Sequence, residues 1–225
     1  GLTLKHTATA DDKPIVLTLQ TGETDMAADD VMGKIAFQAP DEGTGTDAIL
    51  VSAAIQAVSE GDFSSSANAT RLEFMTGASE AAATKMTLTS AGDVGIGTTA
   101  PECELHVFKA SSGADTDGSA VVHIENSGTT LLQLSAGTSS DCHIAFGDSG
   151  NQNIGSIAYL NNGNALAFRT DNSEKMRLTS AGNLSLLADA SVLSFGANSE
   201  VTLTHVHDVG LTLKHTATAD DKPII

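Results

Sequence analysis

Apolar and polar residues alternate along most of the chain, in short runs that end at Gly, Asn, Asp or Ser. Since successive side chains of a strand point to opposite faces, such runs predict β-strands separated by turns. A helical period is hard to find, and the one helix-compatible segment, residues 47–60, is interpreted as strand. The predicted fold class is therefore all-β. The predicted strands are residues 2–6, 15–20, 34–38, 71–76, 85–90, 104–108, 121–125, 131–135, 143–147, 156–160, 165–170, 175–180 and 201–206.

The chain repeats its own beginning. The first 15 residues, GLTLKHTATADDKPI, return as residues 210–224, an offset of 209 residues. Three explanations are open: a short duplicated cassette, an expression artefact, or one unit of a longer tandem array. The copies diverge at Val16 and Ile225, which favours drift between natural units of an array. We therefore predict that Leu2–Ile15 begins the same strands as Leu211–Ile225.

A second, weaker repeat lies inside the long one. The segment KMTLTSAGD at Lys85–Asp93 matches KMRLTSAGN at Lys175–Asn183 in seven of nine positions. Other strand-like segments follow one another in the same order in both halves. The predicted organisation is a β module over residues 1–110, a degenerate copy over 111–209, and the start of the next unit over 210–225. Such modules bury their apolar faces by stacking against neighbours.

Three segments resemble a known family. The segment KMTLTSAGDVGIGTTAPECELHV (85–107) is similar to the shaft motif of phage tail fibres, M-R-L-T-S-x-G-N-V-G-I-G-T-T-x-P followed by an L-H-V strand. Residues 175–186 match the first half of that motif and lack its GIGTT-P part. Residues 201–214 resemble another fibre segment. Related patterns also occur in bacterial surface adhesins.

This resemblance implies an elongated homotrimeric β-structured fibre, built from tandem modules of short strands in β-solenoid- or β-prism-like stacking. Its partners would be parallel copies of itself and neighbouring repeat units, on a virion surface or in another extracellular setting. The implied function is that of a structural repeat segment of a tail fibre that presents a distal receptor-binding tip for host attachment. The alternative is a receptor- or glycan-binding adhesin module of a viral or bacterial surface filament.

The strand pattern itself favours self-assembly. In KMRLTS, Met176 and Leu178 lie on one face, whereas Lys175 and Arg177 lie on the other. A sheet of such strands has one apolar face that needs a covering partner. Its edges also expose unpaired N–H and C=O groups, which neighbouring chains can satisfy.

Composition excludes several classes of function. With 11 Lys and Arg against 28 Asp and Glu, the formal charge of −17 repels nucleic acid and anionic membranes. Aromatic residues make up only 4% of the chain, with no Trp and one Tyr, Tyr159, so surfaces for stacking sugars are scarce. No spaced carboxylate pair or nucleophile–base arrangement is visible. We therefore predict a non-enzymatic protein with no catalytic residues and no cofactor.

Both cysteines are predicted to be buried free thiols. Cys103 shares a strand face with Leu105 and Val107, and Cys142 shares one with Ile144 and Phe146.

Two loops superficially resemble ligand-binding motifs. Gly92–Thr99 lacks the spacing and the following helix of a dinucleotide loop, and its glycines Gly92, Gly95 and Gly97 are assigned to tight turns and close backbone approach. Pro101 is expected to end strand pairing before the next strand. Gly113–Ser119 fails the calcium-loop register at both ends and is interpreted as a solvated acidic turn.

The strongest candidate for a ligand-binding pair in the sequence is His205-Val206-His207. On a strand the two imidazoles would lie on one face about 6.5–7 Å apart. On a three-fold axis they would form a ring of six imidazoles that could hold a transition metal. The alternative, a pair of surface histidines, is favoured because no carboxylate partner is evident. No metal site is predicted.

Overall fold

The computed structural model describes residues 1–7, 9, 14–39, 45–196, 201–208 and 210–215, with side chains omitted for 201 and 211–215. The described residues form fifteen β-strands and one 3-10 turn, Asp47–Ile49, and they contain no α-helix. The all-β prediction is confirmed. Within this described part, no helix is long and apolar enough to cross a membrane. The chain divides into two compact units, Gly1–Leu131 and Leu132–Ile225.

The first unit contains a seven-stranded sheet in which each strand pairs with the next one in sequence. The first five strands form an antiparallel meander, whereas the pairs β5–β6 and β6–β7 are parallel. Parallel neighbours need a crossover connection, which the loops on either side of β6 provide. The strands are β1 (Val31–Gln38), β2 (Val51–Ser59), β3 (Thr70–Thr76), β4 (Ala83–Leu88), β5 (Val94–Ile96), β6 (Leu105–Phe108) and β7 (Val122–Glu125).

The second unit contains two antiparallel sheets. One has the strand order β12-β11-β10-β9-β8, and the other has the order β13-β14-β15. The strands of the five-stranded sheet are β8 (Cys142–Phe146), β9 (Gly155–Leu160), β10 (Ala165–Thr170), β11 (Ser173–Leu178) and β12 (Leu184–Leu186). The three-stranded sheet consists of β13 (Val192–Phe195), β14 (Val201–Val206) and β15 (Gly210–His215).

The five-strand meanders of the two units share irregular details as well as strand order. The register between β3 and β4 skips Lys85, and the register between β10 and β11 skips Lys175, the equivalent residue of the short repeat. In the turns that follow, Gly92 and Gly182 adopt φ of +95° and +80°. The similarity of the two segments therefore extends to the position of a β-bulge. The boundaries 1–110, 111–209 and 210–225 stay a prediction.

Three predicted strands are wrong. Residues 2–6, 15–20 and 131–135 alternate in sequence but form no strand in the structure. A strand needs a paired neighbour, and these segments have none among the residues that the structure describes. Their apolar side chains stay exposed, to 73% at Val16 and 76% at Leu131. In contrast, residues 47–60 become a 3-10 turn followed by β2, which largely confirms the strand interpretation.

The two copies of the 15-residue repeat differ where the structure describes them. Gly210–His215 is strand β15, whereas Gly1–Thr7 contains no strand. Strand β15 pairs with β14, which precedes it in sequence. Residues 8, 10–13 and 216–225 lie outside the described residues. The prediction that the copies adopt one fold is therefore open.

Small side chains dominate the buried apolar positions. Among the described residues, these positions are held by Ala54, Val58, Cys103, Ala158, Ala165 and Ala167, and no Leu, Ile, Phe or Met is buried. The Leu, Ile, Phe and Met side chains that the structure describes therefore all keep part of their surface exposed.

Candidate functional site: the apolar faces of the sheets

A row of large apolar residues runs straight across the sheet of the first unit. The antiparallel and parallel registers place one such residue from each strand next to the one before it. Because side chains at paired positions share a face, the row forms a continuous apolar surface. The residues, from β1 to β7, are Ile35, Ile55, Phe74, Met86, Ile96, Val107 and Ile124. Ile35 and Ile96 remain 45% and 43% exposed, so the described residues leave much of this row uncovered.

The five-stranded sheet of the second unit carries an equivalent row. It consists of Ile144, Ile157, Phe168, Met176 and Leu186, which occupy successive register positions. Ile144 and Leu186 remain 47% and 44% exposed. We call the two rows the apolar faces. Their recurrence in both units shows that an uncovered apolar face is a regular feature of this chain.

The opposite face of the first sheet carries buried polar side chains. Glu73, which is 4% exposed, accepts hydrogen bonds of 2.8 Å from Nε of Arg71, Nε2 of Gln56 and Oγ1 of Thr84. Arg71 also pairs with Asp29 at 2.7 Å. Burial raises the pKa of Glu73, and the hydrogen bonds, chiefly that from Arg71, outweigh burial and hold the pKa below its usual value. Polar side chains such as Glu73 are thus buried on one face of the sheet, whereas large apolar side chains on the other face stay partly exposed.

The two thiols lie in different environments. Cys103 is buried as predicted, but it lies before β6, with Sγ 3.4 Å from the carbonyl oxygen of Leu105. Cys142 is only half-buried, which corrects the prediction of a buried thiol. It shares the apolar face with Ile144, and that face is open in the single chain.

The glycine loop has a backbone role, as predicted. A Cβ at Gly97 would lie 2.1 Å from the carbonyl oxygen of Phe108, and one at Gly95 would lie 2.5 Å from that of Thr98. Both contacts are shorter than any side chain tolerates. The segment forms β5 rather than the start of a helix, so the helix N-terminus that a dinucleotide loop requires is missing.

His205 and His207 do not lie on one strand. Strand β14 ends at Val206, so His207 lies in the following turn, and the prediction of a shared strand face is wrong. The carboxylates that sequence analysis missed come from neighbouring turns. Nδ1 of His207 is 3.7 Å from Asp189, and Nε2 is 3.3 Å from Asp208.

Within the described residues, one group of His, Cys, Asp or Glu side chains has the spacing of a metal site. It consists of Glu102, His106 and His123, whose ligand atoms lie within 4.8 Å of one another. Sequence analysis missed it because the pairing of β6 with β7 is not visible from sequence. A signal existed, since LHVF and VHIE each place one His between apolar residues. The Gly113–Ser119 turn contributes no carboxylate to this group.

No family model matches the chain, and no curated protein matches it. Among solved structures, the carboxy-terminal domain of the bacteriophage T5 L-shaped tail fibre is similar at 12% identity and a TM-score of 0.41, covering 88% of this chain and 95% of that domain. The same domain with its intramolecular chaperone domain is similar at 13% identity and a TM-score of 0.38, covering 100% of this chain and 71% of that one. Similarities at these values do not assign a function.

Proposed function

We propose that the chain is a structural repeat segment of a long, trimeric extracellular fibre of the phage tail-fibre type, which presents a distal receptor-binding tip for host attachment. The observation that carries this proposal is the pair of uncovered apolar faces. The Ile and Phe residues of these faces stay partly exposed, while the buried apolar positions hold small side chains. Such a chain gains stability when other chains cover its apolar faces. The trimeric state is taken from the resemblance of residues 85–107 to tail-fibre shaft motifs.

The gain from covering the apolar faces supports assembly. Burying a whole Ile or Phe side chain contributes about 1.5–3 kcal/mol. Eight of the twelve residues in the two rows are a third to a half exposed, and covering that fraction contributes roughly 0.5–1 kcal/mol per residue. The sum, roughly 4–8 kcal/mol, is comparable to the 5–15 kcal/mol that stabilises an ordinary domain.

The segments without a partner strand fit the same assembly. Residues 15–20 and 131–135 alternate like strands and leave Leu17 and Leu132 exposed to 61% and 64%. A Cβ on Gly33 would lie 2.9 Å from Cβ of Leu19, so Leu19 lies over β1 beside Ile35, at one end of the apolar row. In a fibre these segments pair with strands of neighbouring protomers, which also covers exposed sheet edges.

The proposed role is structural and involves no catalysis. The fibre lies on a virion surface or in another extracellular setting, and its partners are parallel copies of the chain and neighbouring repeat units. The formal charge of −17 favours solubility of the outer surface and disfavours nucleic acid and anionic membranes.

A matched pair of substitutions in β1 tests the proposal. Ile35 lies on the apolar face and Lys34 on the opposite face, and both are exposed in the single chain. Ile35→Asp places a charge in the proposed interface, so we expect loss of the trimer in size-exclusion chromatography with light scattering. Lys34→Asp should leave the trimer intact. Equal assembly of both variants would contradict an interface on the apolar face.

A further inference from the structure

Two histidines face each other across the parallel pair of strands at the end of the first sheet. His106 of β6 is in register with His123 of β7, and their rings stack with centroids 4.8 Å apart and planes at 20°. Glu102 lies four residues before His106, in the loop that enters β6. These side chains lie on the face opposite Val107, away from the apolar row.

His106 is buried without hydrogen-bond partners. It is 2% exposed, and neither ring nitrogen makes a hydrogen bond. Nε2 lies 3.4 Å from a carboxylate oxygen of Glu125, at an ion-pair distance but without the alignment of a hydrogen bond. Nδ1 is likewise buried and makes no hydrogen bond. A buried imidazole in this condition requires an explanation, because buried polar groups are nearly always paired.

The polar groups around His106 and His123 have the arrangement that usually orients a metal-binding histidine. The hydroxyl of Thr116 lies 2.6 Å from Nδ1 of His123 and also donates a hydrogen bond to Glu102. Glu125, which faces His106, is itself held by the hydroxyl of Ser112 at 2.9 Å. Histidines that bind metals usually have their second ring nitrogen bonded to a carboxylate or another oxygen in this way.

We propose that Glu102, His106 and His123 bind a divalent transition-metal ion of the Zn²⁺ class. Two imidazoles and one carboxylate are a common zinc ligand set, with water in the fourth position. Tetrahedral ligands at about 2.1 Å from the ion lie roughly 3.4 Å apart. The ligand atoms lie within 4.8 Å of one another, and binding requires the two stacked rings to turn out of their near-parallel arrangement so that both lone pairs meet at the ion. The exposed Glu102 has the most freedom to move.

The ion would fix the end of the sheet. Strand β7 has only four residues and pairs with β6 alone among the described strands. A metal bridge between His106 and His123 cross-links these two strands, and Glu102 ties the entry loop of β6 to them. This role is independent of the apolar faces, so the site can exist whether or not the chain forms a trimer.

Isothermal titration calorimetry with ZnCl₂ tests the site. The 225-residue chain is first treated with EDTA and dialysed. We expect one saturable site per chain. Glu102→Gln and His123→Gln should weaken binding at least tenfold. The matched controls are Glu104→Gln, at an exposed carboxylate in the same loop, and His143→Gln, at an exposed histidine of β8, and both should bind like the wild type.

Two further measurements test the site even if one of the variants folds poorly. Glu102 is exposed, so Glu102→Gln is expected to fold, and Zn²⁺ should raise the thermal midpoint of the wild type but not of this variant. Binding of CoCl₂ should produce the visible absorption of a tetrahedral site only where Glu102 and His123 are present. The proposal is overturned if the wild type shows no saturable Zn²⁺ binding, or if both ligand variants bind like the controls.

Discussion

Ile55 and Phe74 lie directly opposite each other on β2 and β3, and each leaves 37% of its surface exposed. A pair of a β-branched and an aromatic side chain stabilises a sheet when other residues cover it. The second unit repeats the arrangement with Ile157 opposite Phe168. Since both pairs stay partly exposed among the described residues, they mark the surface on which another chain is expected to pack.

Gly97 is predicted to tolerate no side chain. It has φ of +83°, and an added Cβ would lie 2.1 Å from the carbonyl oxygen of Phe108. Gly97→Ala should therefore lower the free energy of unfolding by about 2 kcal/mol or more. The control is Gly61→Ala, where no atom lies within 4 Å of the added methyl group. Equal thermal midpoints for the two variants would refute the steric argument.

Glu73 is predicted to link stability to pH. Its pKa in the folded protein lies below the ordinary value of 4.5, so the ionised carboxylate stabilises the fold above that pH. The contribution disappears as the pH falls through the folded-state pKa. Glu73→Gln should cost about 1–3 kcal/mol at pH 7, where the charged partner of Arg71 is lost.

The same substitution should matter less once the pH falls below the folded-state pKa of Glu73, because the wild-type carboxyl is then protonated as well. Thermal midpoints measured from pH 7 down through the acid range follow the difference, with the exposed Glu104→Gln as control. A gap between wild type and Glu73→Gln that stays constant over this range would contradict the linkage.

The thiols are predicted to report on assembly. Cys142 lies on an apolar face and should react with a thiol reagent in the dissociated chain but not in the fibre. Cys103 is buried within its own unit and should react only on unfolding. Labelling followed by mass spectrometry of the Cys103 and Cys142 peptides distinguishes the two. Rapid labelling of Cys142 in intact assemblies would show that its face stays open.

The sequence predicted those elements that depend on local pattern. Alternation identified most strands of both meanders, and the match between residues 85–93 and 175–183 anticipated two similar turns. Elements that depend on a partner were not predictable in this way. Residues 15–20 alternate as well as β2 does, but no described strand pairs with them. The Glu102, His106 and His123 group depends on the parallel register of β6 and β7, which local pattern does not reveal.

Sedimentation equilibrium of the soluble, folded wild-type protein tests the central claim most directly. We predict a single species with three times the 22.9 kDa mass of the chain, because the apolar faces of both units need partners. The assembly should dissociate slowly, since its pairings are non-local and join separate chains. A cooperatively folded monomer of 22.9 kDa would contradict the account.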